Sequence, residues 1–249
     1  MYEERPSLLR GAVVWTREDT SGGSGRVLPD GCMDLLLWGE ELVVAGPDTR
    51  AHLVSGEAGS RACGLRFAPG TAPLVLGVRA WELCDQRVPL AALWPEREVR
   101  ELTERAAGAP DPGAVLEALA QERLRRREAG GEAGGAGGAA LSGGADSVRG
   151  AVVAGLRRGL GVAQVATSVG LSERQLHRRC RDAFGYGPKT LARVLRMRGA
   201  LRLAHSGRPP AEIAPAVGYA DQAHLAREFR ALAGAPLTEL IRTRAGAAS

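Results

Sequence analysis

The sequence predicts an α+β chain. Its first half should be an antiparallel β barrel or sandwich of cupin-like spacing with flanking helices, and its second half all helical. Three observations carry this reading. Short apolar runs separated by turn residues fill roughly the first 90 positions. A stretch with eight glycines in eighteen residues, AGGEAGGAGGAALSGGAD (129–146), interrupts the chain. Beyond it one helix–glycine–helix pattern occurs twice, as VAQVATSVGLSERQLHRRCRDAF (162–184) and AEIAPAVGYADQAHLAREFRAL (211–232).

The predicted strands are LLRGAVVWT (8–16), CMDLLLW (32–38), ELVVAG (41–46) and ACGLRF (62–67). Turn signals bound them: SGGSG (21–25), Pro29-Asp30-Gly31, Gly46-Pro47-Asp48 and Pro69-Gly70. Even spacing of short strands and turns suits an antiparallel barrel or sandwich. Residues 71–77 and 79–84 read as short helical pieces. Residues 96–107 and 112–128 read as full helices, the second starting after Asp111-Pro112; proline is pre-organised for a first helical turn. Val115, Leu116, Leu119 and Leu124 approximate one stripe on that helix. The stripe suits either the sheet or a second subunit.

The glycine-rich stretch has the composition of a random-coil linker, with an expected end-to-end distance of ~25 Å. It lacks the pattern of a phosphate loop. The expected domains are therefore 1–128, a linker at 129–146, and 147–249. These two halves should be tethered rather than fused, unless they share an interface. Ser147 is placed to cap a helix over 147–158 with Val148, Val152, Val153 and Leu156 inward.

Charge separates the halves further. Residues 147–249 hold 17 Lys+Arg against 6 Asp+Glu, whereas 1–146 hold 16 against 22. A basic domain beside an acidic one points to a polyanionic partner for the basic half alone. Lys189 is the single lysine, so every other basic residue of the 33 is an arginine, the side chain whose fork matches guanine. No apolar run reaches membrane-spanning length, and MYEERPSLLR lacks the apolar core of a signal peptide. A cytoplasmic protein without a membrane partner is expected.

The two repeated patterns have the grammar of helix-turn-helix units. In the first, Val162, Val165, Ala166 and Val169 form a buried stripe. Gly170 permits a left-handed turn. Ser172 and Gln175 make a capping box that starts the next helix. On that helix Leu176, Cys180 and Phe184 share one face, leaving Arg174, His177, Arg178 and Arg181 on the others. In the second, Ile213, Ala214 and Val217 point inward, Gly218 turns, Tyr219 packs behind and Asp221 caps. Leu225 and Phe229 anchor the helix, leaving Gln222, His224, Ala226 and Arg227 outward. Arginine pairs with guanine, glutamine with adenine, and alanine meets a thymine methyl. Between the units runs PKTLARVLRMRGALRLAHS (188–206), one long helix able to hold two probes at the ~34 Å spacing of successive major grooves.

Here the residues carry a resemblance. Gly-Tyr-Gly-Pro-Lys (185–189), Leu-Arg-Met-x-x-Ala (195–200), Ile-Ala-x-x-Val-Gly-Tyr-x-Asp-Gln (213–222), His-Leu-x-Arg-x-Phe-Arg (224–230) and Gly-Ala-x-Leu (234–237) resemble the DNA-binding domain of the AraC/XylS regulators along 147–244. The resemblance implies a sequence-specific bacterial transcription regulator. By position, Arg174, His177, Arg178, Gln222, His224 and Arg227 would be its main base and phosphate contacts. Pro236 sits one place earlier than the family's usual proline. Pro215 removes a backbone donor inside a helix, and Gly199 costs about 1 kcal/mol against alanine within another. LPDGCMDLLLW (28–38), VAGPDT (44–49) and residues 65–94 are similar to a small domain type found ahead of such DNA-binding units, which implies a sensing or dimerisation role.

Three roles stay open for the first half. Trp15, Trp38 and Trp81 would form an aromatic wall around a small-molecule effector, or all four tryptophans, Trp94 included, would simply be core. Cys32, Cys63 and Cys84 would be sensor thiols in a redox-responsive regulator, or buried free cysteines. The half would otherwise only dimerise. Asp30 and Asp34 flank Cys32 without a histidine or second nucleophile nearby, so enzymatic chemistry, a metal and a cofactor are not expected. The arginine run 123–127 reads as a solvated helix face. The expected partners are double-stranded promoter DNA, a small-molecule effector, RNA polymerase and a second copy of the chain.

Overall fold

The computed structural model describes residues 1–19, 22–129 and 144–245. The predicted linker thus falls largely outside the described residues. Its first half holds eight strands among the described residues: β1 Tyr2–Pro6, β2 Val13–Glu18, β3 Gly23–Val27, β4 Asp34–Trp38, β5 Glu41–Ala45, β6 His52–Gly56, β7 Arg61–Arg66 and, after a first short helix, β8 Arg87–Pro89. Six form an antiparallel sheet in the order β1-β2-β7-β4-β5-β8, and β3 pairs with β6 in a second, two-stranded sheet. The larger sheet is open, with β1 and β8 as its edges.

Alternation along these strands decides what lies where. Val14, Leu65, Leu35 and Val44 stand in register across β2, β7, β4 and β5. All four are buried in one core with Leu37, Leu42 and Phe67. Helices α1 (Ala72–Leu76), α2 (Glu96–Ala107) and α3 (Pro112–Ala129) cover that face. The stripe on α3 is therefore spent on the sheet: Leu116 and Ala120 are fully buried there, with Val115, Leu119 and Leu124 packed against them. Gly113 in its first turn lets the helix approach, because a Cβ there would stand 2.3 Å from Val14 Cγ1. Glu117 on the same helix is buried and accepts hydrogen bonds from the Leu8 N–H, the Ser7 hydroxyl and Arg5. Against the pull of burial, these donors hold its carboxyl below the usual range.

The opposite sheet face carries polar groups. Arg66 stands 3.3 Å from Asp34 and 3.4 Å from Asp30, and the Trp15 indole N–H donates to Asp34 at 2.6 Å. Burial raises the Asp34 carboxyl to about 6 even so.

The second half follows as α4 Gly144–Arg157, α5 Val162–Ser168, α6 Glu173–Phe184, α7 Pro188–His205, α8 Pro210–Ala216, α9 Gln222–Ala233 and α10 Leu237–Ala245. Helix α4 begins before Ser147, so that residue lies inside the helix rather than capping it. The helices build two cores. The first joins α4 to α6 and the start of α7, around Leu176, Phe184, Leu191 and Val194. The second joins the end of α7 to α8–α10, around Met197, Ile213, Leu225 and Phe229. Helix α7 thus belongs to both lobes.

The halves also meet directly. Leu28 packs on the second helical core and Cys84 on the first. The Ala51 N–H donates to the Leu232 carbonyl at 2.7 Å, and Arg26 pairs with Glu239 at 3.6 Å. Three glycines line the seam. A Cβ would stand 2.3 Å from Pro47 Cγ at Gly185, 2.9 Å from Phe184 Cε1 at Gly70, and 3.4 Å from Leu191 Cδ1 at Gly31. The shared interface, left open by the sequence, is present.

Candidate nucleic-acid interface

Both repeated patterns fold as helix, turn, helix. In the first, Gly170 with φ 68° turns the chain just after α5, and in the second Gly218 with φ 82° turns it just after α8. Both angles lie in the left-handed region that side chains disfavour. After each turn a side-chain oxygen starts the second helix. The Ser172 hydroxyl accepts from the Gln175 N–H at 3.2 Å, while the Gln175 carbonyl oxygen accepts from the Ser172 N–H at 2.9 Å. Asp221 accepts from the His224 N–H at 2.6 Å. Leu176, Cys180 and Phe184 anchor α6, and Leu225 and Phe229 anchor α9. Leu171 and Tyr219 plug the two turns from behind. Pro215 is accommodated inside α8, which ends one residue later at Ala216. So short a helix forgoes little by lacking one donor.

The outward faces differ in detail from the sequence expectation. Arg174, His177 and Arg178 are exposed together on α6, and Gln222 and Arg227 on α9. Arg181, one turn further along α6, is exposed but leans on the other half of the chain. Its guanidinium lies 5.2 Å from the Trp81 ring, which Arg79 also approaches at 4.9 Å. His224 is half-buried. Its Nδ1 accepts from the Ala220 N–H at 3.3 Å and its ring meets Tyr219 edge-on at 5.3 Å. One nitrogen of that imidazole is therefore committed to holding the turn. Ala226 is half-buried beside it.

Helix α7 sets the spacing of these faces. Arg193 donates to both oxygens of Glu228 on α9, at 2.8 and 3.1 Å. Arg196 lies over the Tyr219 ring at 5.4 Å. The connector thus grips the second motif at its turn and at its second helix.

The candidate tryptophan wall is not assembled. Trp15 stacks on Tyr2 and bonds Asp34, Trp38 is 43% exposed at the end of β4, and Trp81 sits on the 3₁₀ turn Ala80–Leu83 against α6. Trp15 and Trp38 point to the sheet face away from the core, and Trp81 belongs to a different layer. The core reading holds for Trp94, the buried one of the four tryptophans. Its indole N–H donates to the Leu76 carbonyl at 2.9 Å, and the Arg123 guanidinium covers its ring at 3.5 Å. Arg123 also pairs with Glu98, so the arginine run is not wholly a solvated face.

The three candidate sensor thiols are free and dispersed. Cys63 faces the sheet core, Cys32 lies in the loop before β4, and Cys84 follows the 3₁₀ turn. Burial pushes all three upward, Cys84 to about 11 with Asp85 and Asp48 adding to it. Such thiols carry little thiolate at neutral pH, the opposite of a reactive cysteine.

Two capped helix-turn-helix units on one shared connector, with arginines outward, define a tandem DNA-binding module. Residues 165–243 match a family model described as a helix-turn-helix domain. Residues 12–89 match a domain of unknown function. No curated protein matches the chain. Among solved structures, an apo variant of ToxT from Vibrio cholerae strain SCE256 shares 11% identity, with 95% of this chain and 98% of that chain covered and a TM-score of 0.48. ToxT from Vibrio cholerae O395 shares 9%, with 96% of each chain covered and a TM-score of 0.44. Wild-type ToxT bound to an unsaturated fatty acid shares 12%, with 97% of each chain covered and a TM-score of 0.47. Residues 165–243 therefore form a helix-turn-helix domain, the part of the chain that carries DNA binding.

Proposed function

We propose that α6 and α9 enter successive major grooves of a promoter operator and that the first half regulates their access. Arg174, His177 and Arg178 would serve the first groove, and Gln222 and Arg227 the second. His224 would act mainly by holding its turn, and Ala226 would offer a surface to a thymine methyl. Arg181 reaches DNA in this reading only on leaving Trp81. The observation that carries the reading is the pair of exposed, arginine-bearing helix faces fixed on a single connector. The protein would work in the cytoplasm. No described helix is long and apolar enough to cross a membrane.

The seam supports a regulatory role for the first half. It touches α6 through Trp81 and Pro47 and the end of α9 through Ala51, so one body contacts both reading helices. A small-molecule effector or a second copy of the chain that shifted the sheet would act on both at once, and RNA polymerase would respond to the bound state. Selection of duplexes from a randomised pool by the full-length protein tests the central statement. Enrichment of a bipartite site with half-sites about one helical turn apart is expected. A pool that emerges unenriched at low salt would overturn it.

A further inference from the structure

Between the two helical lobes lies a cleft of about 350 Å³ lined by five arginines: Arg157, Arg196, Arg198, Arg202 and Arg208. No carboxylate among the described residues lines it. Among the described residues none of the five is in an ion pair, whereas Arg193 on the same connector is paired through both Glu228 oxygens. Arg198 and Arg202 stand one turn apart on α7, a spacing at which like charges destabilise a helix. The cluster gathers positive charge that no neighbouring carboxylate offsets, so it favours an anion from outside.

Position narrows the choice. On one side the cleft is walled by Leu156, Arg157 and Gly159, which lead into the first motif. On the other it is walled by Ala216 and Val217, the residues before the turn of the second. Its floor is the middle of α7. An anion seated there would lie between the two lobes, against the connector that joins them. Gly199, the glycine that costs helix stability, lies on that floor. A Cβ there would stand 3.6 Å from Val217 Cγ1, an ordinary contact, so lobe packing does not demand glycine. Its missing side chain leaves the floor open for a close approach.

We propose that this cleft is a phosphate-binding site that takes the DNA backbone between the two major grooves. The proposal builds on the DNA-binding reading and adds a contact that neither reading helix makes. It predicts a sequence-independent contribution, since phosphate contacts position a protein without reading bases.

The test is fluorescence anisotropy of the full-length protein with a duplex from 50 to 200 mM NaCl. Wild type is compared with the double variant Arg157→Ala/Arg202→Ala and with Arg202→Lys. The double variant should lose affinity by roughly 3- to 30-fold, with a log–log salt slope shallower by about 1 to 2, since each phosphate contributes about 0.9. Base preference should be unchanged, and Arg202→Lys should keep the wild-type slope. Equal slopes in wild type and double variant would overturn the proposal. So would a shift in base preference, which would place these arginines among the readers. A free polyphosphate ligand is a separate outcome: tripolyphosphate at matched ionic strength would raise the melting midpoint of wild type alone while the DNA slopes stay equal. Because slopes can be measured on any duplex, failure of sequence selection would strike the operator reading without deciding this one.

Discussion

The two helix-turn-helix motifs share a scaffold and differ in what they present. Each has a left-handed glycine turn, an oxygen cap and a leucine anchor on its second helix. The first presents three cationic or ionisable side chains at its exposed end, Arg174, His177 and Arg178. The second presents Gln222 and Arg227, turns its histidine inward and ties Glu228 to the connector. On the proposed reading, one geometry carries two chemistries, the first weighted towards charge and the second towards hydrogen-bond readout. The lesson is that the fold sets where a probe stands, while a few outward residues decide what it measures.

The largest effects should test whether the scaffolds are equal. Leu176→Ala and Leu225→Ala each empty a buried anchor site, and each should cost about 2–5 kcal/mol by urea or thermal melting. A much smaller loss in one would show that its lobe repacks, and the comparison would then rest on unequal frames. Next come the probes. Arg178→Ala and Arg227→Ala should each weaken operator binding by about 1–3 kcal/mol. The first variant should also flatten the salt dependence and the second should relax base preference. Identical changes in both would erase the division of labour drawn here.

Caps should matter less. Ser172→Ala and Asp221→Ala should each cost ~1 kcal/mol of stability. Asp221→Ala should do further harm, because the N–H it frees belongs to His224, whose ring braces the same turn. Chemical-shift changes at Tyr219 in that variant, and none there in Ser172→Ala, would check this. The smallest effect is expected at the connector. Arg193→Ala breaks a partly exposed pair worth about 0.2–1 kcal/mol, and its consequence should be confined to the second lobe. Hydrogen exchange that rose equally in both lobes would argue against that.

Much of the helical half was legible because its signals are local. Ser172 with Gln175, Gly170, Gly218, Asp221 and the i, i+4 anchors all act within a few residues of themselves. The sheet was read less well. Strand β3 contains Gly23-Ser24-Gly25, which reads as a turn, yet it pairs residue by residue with β6. Strand β1 is too polar to look like a strand because its charges are satisfied from afar, Arg5 by Asp111 and Glu117 and Glu4 by Arg66. The aromatic wall failed for a related reason: proximity along the chain says nothing about which layer Trp81 joins. The seam left no periodic trace either, since Gly31 and Gly70 look like ordinary turn glycines until Leu191 and Phe184 come up against them.

That seam has a consequence for how the protein changes through mutation. Where Gly185 meets Pro47 there is no room for a single extra carbon while the halves are closed. Gly185 also adopts φ 85° at the end of α6, a conformation that resists replacement on its own account. A bulkier residue at that one position would therefore wedge the molecule open like a foot in a door, while leaving Arg174, Arg178 and Arg227 in place.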